Sequence, residues 1–315
     1  MDTTVHQETN NSDKTVGNTP GAVAISGASG LVGSALAAAL ERDGTRVLRL
    51  SRRSGPGVVT WDPAEGVSDP SSLEGLRGVV HLAGENIASG RWTDAQKQRI
   101  RDSRVEGTRN LCRSLGTLKS PPGVFVCASA IGFYGDRGDE LLDESSPAGQ
   151  GFLADVCQEW EAAAQEAAAT GARVVQTRFG VVLSKEGGAL QKMLTPFKMG
   201  VGGRVGSGRQ YWSWVALPDV VGSIRHALAT ESVTGPVNVV SPQPVTNAEF
   251  TKVLAKVLHR PAFFPMPAAA ARLALGEMAE ELLLASARVA PRTLEESGYA
   301  FQFSELEAAL RDALQ

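Results

Sequence analysis

The sequence predicts an α/β protein, a parallel sheet wound by helices on both faces, with a smaller mixed lobe towards the C-terminus. Short apolar runs alternate with helical stretches, as in a sheet of parallel strands joined by crossover helices. Three glycines stand between the first strand and the first helix, and after about residue 184 the texture turns to clustered glycines and aromatics. The 315 residues allow one large domain or two modest ones. With 43% hydrophobic residues, 21% charged residues and a net charge of −3, no basic field points to nucleic acid or an anionic membrane. Cys112, Cys127 and Cys157 are scattered and odd in number, which excludes a disulfide framework and fits a reducing, cytoplasmic setting. The four histidines (His6, His81, His226, His259) form no cluster, so no metal is expected. Residues 1–19 are polar and lack the apolar core of a signal peptide, so they read as a disordered tail. No apolar run reaches the roughly 18 residues of a membrane span.

Ala22–Ser26 reads as the first strand, and Leu31–Asp43 as an alanine-rich helix closed by Gly44. Arg46–Leu50 and Val58–Trp61 are the second and third strands. Gly78–Ala83 is the fourth, nearly continuous in apolar residues as a strand covered on both faces should be. Thr93–Leu115 places Ile100, Thr108, Leu111, Cys112 and Leu115 at helical spacing, with charges on the remaining faces. Val124–Ala128 is the fifth strand, Leu153–Ala169 a helix ended by Thr170-Gly171, and Arg173–Thr177 the sixth strand. Five glycines between Gly200 and Gly208 then precede Tyr211, Trp212 and Trp214, which suit either an apolar pocket or a core beneath the loop. Thr246 with Glu249, and Ser304 with Glu307, have the spacing of capping boxes. The expected layout is a dinucleotide-binding body over 20–184, its sheet completed by later strands, and a substrate lobe over 185–315.

Gly27-Ala28-Ser29-Gly30-Leu31-Val32-Gly33 follows a strand and opens a helix. A diphosphate needs backbone N–H groups and the positive end of a helix dipole. Gly27 would turn the chain, Gly30 would hold no side chain between backbone and phosphate, and Gly33 would let the helix pack closely. In this βαβ setting the turn indicates a Rossmann fold that binds a dinucleotide. The second strand ends Leu50-Ser51-Arg52-Arg53, without the carboxylate that would favour NAD. Two guanidiniums with the Ser51 hydroxyl suit a 2′-phosphate, so the expected cofactor is NADP(H). Asp62, after the third strand, is a candidate for the adenine amino group or an ordinary turn residue.

The glycine spacing G-x-x-G-x-x-G resembles that of the extended short-chain dehydrogenase/reductases. His81-Leu82-Ala83-Gly84, Val105-Glu106-Gly107-Thr108, Phe133-Tyr134-Gly135 and Trp212-Ser213-Trp214-Val215 with Asp219-Val220-Val221 resemble later motifs of that family. Gly84-Glu85-Asn86-Ile87, Gly90-Arg91-Trp92, Asp102-Ser103-Arg104, Gly187-Gly188-Ala189-Leu190 and Gly208-Arg209-Gln210 resemble its atypical "epimerase family protein" subgroup. Residues 262–311 resemble that subgroup's C-terminal domain of unknown function, through Leu275-Gly276-Glu277-Met278, Leu282-Leu283-Leu284 and Arg288-Val289-Ala290-Pro291. The likeness runs from Gly21 to the end. It implies that Leu82, Ala83, Gly84 and Ala128 line the cofactor.

Active members of that family use Tyr-x-x-x-Lys on the helix after strand five, the Tyr exchanging a proton and the Lys lowering its pKa. Here Phe152 and Val156 stand at that spacing. Alignment on Tyr134-Gly135 also puts Ala130 at the family's serine, with Ser129 one residue earlier. Tyr134 and Ser129 are the first candidates for a substitute role, with Glu85, Asp155 and Tyr211 behind them. Two functions of different class follow: an NADP(H)-dependent oxidoreductase or epimerase-like enzyme acting on a small molecule, or a non-catalytic NADP(H)-binding module.

Overall fold

A computed structural model describes residues 21–315; the tail expected over 1–19 lies outside the described residues. Seven parallel strands build the main sheet: β1 (Val23–Ser26), β2 (Val47–Ser51), β3 (Val58–Asp62), β4 (Gly78–His81), β5 (Val124–Ala130), β6 (Arg173–Phe179) and β7 (Gly235–Val239). Their order is β7-β6-β5-β4-β1-β2-β3, and Gly66–Val67 adds a short antiparallel edge beside β3. The chain runs outwards in one direction from β1 to β3 and in the other from β4 to β7. The reversal lies between β1 and β4, where ligands of open α/β sheets bind beyond the carboxyl ends of the strands. The sheet continues past residue 184, because β7 and the helix before it belong to it.

Alternation along β1 separates the two cores. Val23 and Ile25 pack with Leu36 and Leu40 of α1 (Leu31–Arg42) and with Val220 and Ile224 of a later helix, Leu217–Ala229. Ala22 and Ala24 face the opposite side, where Leu111 and Leu115 of α2 (Asp94–Gly116) meet Trp160 of α3 (Phe152–Gln165). Small residues on that face leave room for Trp61, Phe125 and Trp160. Gly44, at φ +79°, ends α1: its N–H donates to Glu41 and the Thr45 N–H to Leu40, a Schellman pair.

β4 ends two residues earlier than the apolar run suggests. The Leu82 N–H is shared between the Ser26 carbonyl at 3.2 Å and Ser26 Oγ at 3.1 Å, and the Ala83 N–H donates to Ser26 Oγ at 3.3 Å. The helix expected to Ala169 gives way at Gln165 to a 3-10 turn, Glu166–Thr170, closed by Gly171 at φ +86°.

A third core joins Phe197, Trp212, Trp214, Phe250 and Leu310 in the C-terminal part of the chain. Trp212 and Trp214 are buried there, and the Trp214 indole N–H donates to Gln243, which decides for core rather than pocket lining. The Thr246–Glu249 capping box is formed in both directions. The second box is not. The last helix, Leu306–Ala313, starts after Glu305 without a side-chain cap, and Glu307 pairs with Lys256 and Arg311 instead. The Ser304 carbonyl meanwhile accepts from Ser241 Oγ.

Candidate functional site

The glycine turn sits at the reversal of strand order, immediately after β1. Gly27 has φ +67°, and a Cβ there would stand 2.8 Å from the Leu82 carbonyl. A Cβ on Gly33 would stand 2.2 Å from the Gly27 carbonyl oxygen, so its close packing is against the turn itself rather than the sheet. Gly30 differs. Its only near neighbour is the Gly27 oxygen at 3.3 Å, and both Ser29 and Gly30 are exposed. Gly30 is the N-cap of α1; no side chain caps the helix and no acid stands in its first turn. The end is an exposed, positively polarised set of N–H groups. Leu31 and Val32 are half-buried beside it.

Beneath the turn lies a buried support. Ser26 Oγ accepts from Leu82 and Ala83 and stands 2.6 Å from His81 Nδ1. With both lone pairs engaged, the hydroxyl donates to Nδ1, which leaves the imidazole proton on Nε2. Nε2 is buried without a hydrogen-bond partner, edge-on to Trp61 at 5.6 Å between centroids. Complete burial holds the His81 pKa down to about 3.

At the end of β2, Ser51 Oγ accepts from the Arg53 N–H at 3.1 Å, which curls the chain there. Arg52 and Arg53 are exposed. Asp62 Oδ1 accepts from the Ala64 N–H at 2.8 Å, the geometry of a turn aspartate. Leu82, Ala83 and Gly84 continue β4 beside the turn, and Ala128 is buried in neighbouring β5.

The two residues singled out for chemistry are buried and hydrogen-bonded. Tyr134 is fully buried; its hydroxyl accepts from Arg178 Nη1 at 2.9 Å and donates to Asn238 Oδ1 at 2.7 Å. Desolvation pushes its pKa up to about 12 although Arg178 opposes the rise. Ser129 is 2% exposed and its hydroxyl donates to Glu161 at 2.6 Å. Both hydroxyls belong to a buried network around the bidentate Arg178–Glu161 pair, its contacts both 2.8 Å. Arg178 was the missed signal, a charge inside the otherwise buried strand β6.

Phe152 and Val156 do stand on α3, as the spacing indicates. Two further residues matter: the sequence reading named Arg104 only within the Asp102-Ser103-Arg104 motif, and Glu281 not at all. Arg104 of α2 lies against Gly84. Glu281, on a π-helical turn at Glu280–Leu284, accepts from the N–H groups of Phe152 and Leu153 at 2.8 and 2.7 Å. Among the other acid candidates, Glu85 is half-buried with its carboxylate 3.5 Å from Gln96 Nε2, while Asp155 is exposed. A groove of about 620 Å³ lined by Arg204, Lys252, His259, Arg260 and Phe263 contains none of the expected site residues. Among the described residues no helix is long and apolar enough to cross a membrane.

Residues 23–240 match the model of the "NAD dependent epimerase/dehydratase family". The chain belongs to that family. Residues 266–313 also match a "Domain of unknown function (DUF1731)", close to the span expected from the resemblance. Within the family the chain is similar to the epimerase family protein Mb2239 of Mycobacterium bovis, 44% identical over 290 residues, 91% of this chain and 96% of the other. It is 36% identical to human epimerase family protein SDR39U1, over 92% of this chain and 98% of that one. A crystal structure of the human protein (isoform 2) with NADPH superposes with a TM-score of 0.85 at 36% identity, covering 92% of this chain and 98% of that one. A structure described as a nucleoside-diphosphate sugar epimerase from Corynebacterium glutamicum gives 0.79 at 38% identity, covering 94% of this chain and 58% of that one.

Proposed function

We propose that this epimerase-family chain binds NADP(H) at the β1–α1 turn and acts on a small molecule without the Tyr-x-x-x-Lys pair. The observation that carries the reading is the exposed, uncapped end of α1 at Gly30, backed by the two exposed arginines at the end of β2. The residues present fit the cofactor. The backbone of Gly27, Ala28, Ser29, Gly30, Leu31, Val32 and Gly33 would cradle the diphosphate. Ser51, Arg52 and Arg53 would take the 2′-phosphate, and the free oxygen of Asp62 the adenine amino group. Leu82, Ala83, Gly84 and Ala128 would wall the dinucleotide. NADPH in the human relative supports the choice of nicotinamide. When bound, the cofactor supplies a hydride donor or acceptor.

A second reading, a non-catalytic NADP(H)-responsive module, is favoured by a different observation. Phe152 and Val156 can neither transfer nor tune a proton, and Tyr134 and Ser129 are enclosed.

Fluorescence titration separates the cofactors. NADPH should bind more tightly than NADH by about one to two decades, the loss of one charge-assisted phosphate contact of roughly 1.5–3 kcal/mol. Arg52→Ala/Arg53→Ala should erase that preference. Equal affinities in the parent would remove the assignment of the 2′-phosphate site.

A further inference from the structure

Two arginines, buried Arg178 and half-buried Arg104, stand near the carboxyl ends of β6 and β4, and only one of them forms an ion pair. Arg178 grips Glu161 with two 2.8 Å contacts. Arg104 has no carboxylate within ion-pair distance among the described residues. Its Nη1 donates to the carbonyls of Glu85 and Ile100, both at 3.1 Å, and its guanidinium lies 5.1 Å from the Trp160 ring centroid. The Glu85 carboxylate, 3.5 Å from Gln96, favours the charged guanidinium from beyond ion-pair distance but does not outweigh its desolvation. The Cys157 thiol, which also neighbours Arg104, is no counter-ion, because burial pushes its pKa up to about 11. Desolvation accordingly disfavours the charged guanidinium of Arg104 and lowers its pKa.

A largely desolvated charge without an ion-pair partner is costly, and an arriving anion would relieve that cost. The place is suited to one. A methyl on Gly84 would stand 3.2 Å from Arg104 Cζ and 3.3 Å from Nη2, so the guanidinium lies directly against the strand end that continues the wall of the glycine turn. Cys157 directly follows Val156, the position without its lysine. A fixed charge therefore reaches this part of the cleft from α2 rather than from α3.

We propose that Arg104 is an oxyanion-binding residue of the cleft, using the N–H groups that Glu85 and Ile100 leave free. The oxyanion is a carboxylate of the substrate or the diphosphate of the cofactor. The inference rests on the reading of the cleft as a cofactor site. Arg104 is also a guanidinium fork, so lysine would keep the charge and lose the bidentate geometry.

Calorimetry with the full chain distinguishes the sources. The parent, Arg104→Gln and Arg104→Lys are each titrated with NADPH, then with oxalate after saturation by NADP⁺, with circular dichroism as the fold control. Failure of the parent to bind NADPH would overturn the cofactor reading rather than this one alone. With binding in the parent, Arg104→Gln should weaken one titration by about ten- to hundredfold, and Arg104→Lys should recover part of it. Loss in the NADPH titration assigns the diphosphate; loss confined to oxalate assigns a substrate carboxylate. Both titrations unchanged within about twofold would overturn the proposal. Should Arg104→Gln not fold, Arg104→Lys decides alone: a fivefold or greater loss in either titration supports it and none overturns it.

Discussion

Helices α1 and α3 begin alike and end up in opposite situations. Each follows a glycine, Gly30 or Gly151, each continues with two apolar residues, and neither has a side-chain cap from its own neighbourhood. At α1 the first-turn N–H groups face outwards through exposed Ser29 and Gly30. At α3 the carboxylate of Glu281, some 130 residues away in sequence, takes two of them. The same polarised helix end is open at the surface in one case and a joint to the C-terminal domain in the other. Local sequence creates the donors, and a distant residue decides what they are for.

The largest effect concerns what the open end stands on. Folded His81 is neutral with a pKa of about 3, against an ordinary value of 6.5. Below pH 6.5 the unfolded chain takes up a proton that the folded chain refuses. This contribution to stability is full above pH 6.5 and is lost as the pH falls towards 3. The loss amounts to about 2 kcal/mol at pH 5 and roughly 5 kcal/mol at the bottom of the window. Urea unfolding at pH 7, 6, 5 and 4 should therefore give a steeper decline for the parent than for His81→Asn. Parallel pH profiles would show that the support under the turn does not titrate in this way.

Next in size is Gly30→Val. The position has φ −79° and ψ 172°, ordinary extended backbone, and its neighbourhood is open apart from the Gly27 oxygen. The fold should persist while NADPH affinity drops on the order of a hundredfold, about 2.7 kcal/mol. Calorimetry with circular dichroism reads both. Retained binding would make α1 a structural end like α3 and collapse the distinction.

The smallest effect belongs to the filled end. Glu281→Ala should cost about 1–2 kcal/mol of stability, as for loss of a helix cap, with NADPH affinity within about twofold of the parent. Urea unfolding and a parallel titration measure the two. A large loss of affinity with unchanged stability would mean that Glu281 serves the ligand rather than the joint.

Six of the seven main strands, three of the helices between them and the place of the glycine turn were legible because they depend on short-range regularities, whereas the order of the strands in the sheet was not. Period-two and period-3.6 patterns, the closing glycine at Gly44 and the strand–glycine–helix junction each lie within a dozen residues. The gap at Phe152 and Val156 was legible for the same reason. The fates of Tyr134 and Ser129 were not, because Asn238, Arg178 and Glu161 reach them from other elements. Nor was the pocket-or-core choice for Trp212 and Trp214, or the failure of Ser304 to cap. Sequence alone determined which backbone groups would be left without partners at the start of α1. Only the tertiary structure decided that the start of α3 would be filled, that Arg178 would be paired and that Arg104 would not. Desolvation and charge pairing depend on which distant elements the fold brings within a few ångströms, and no local pattern encodes that distance.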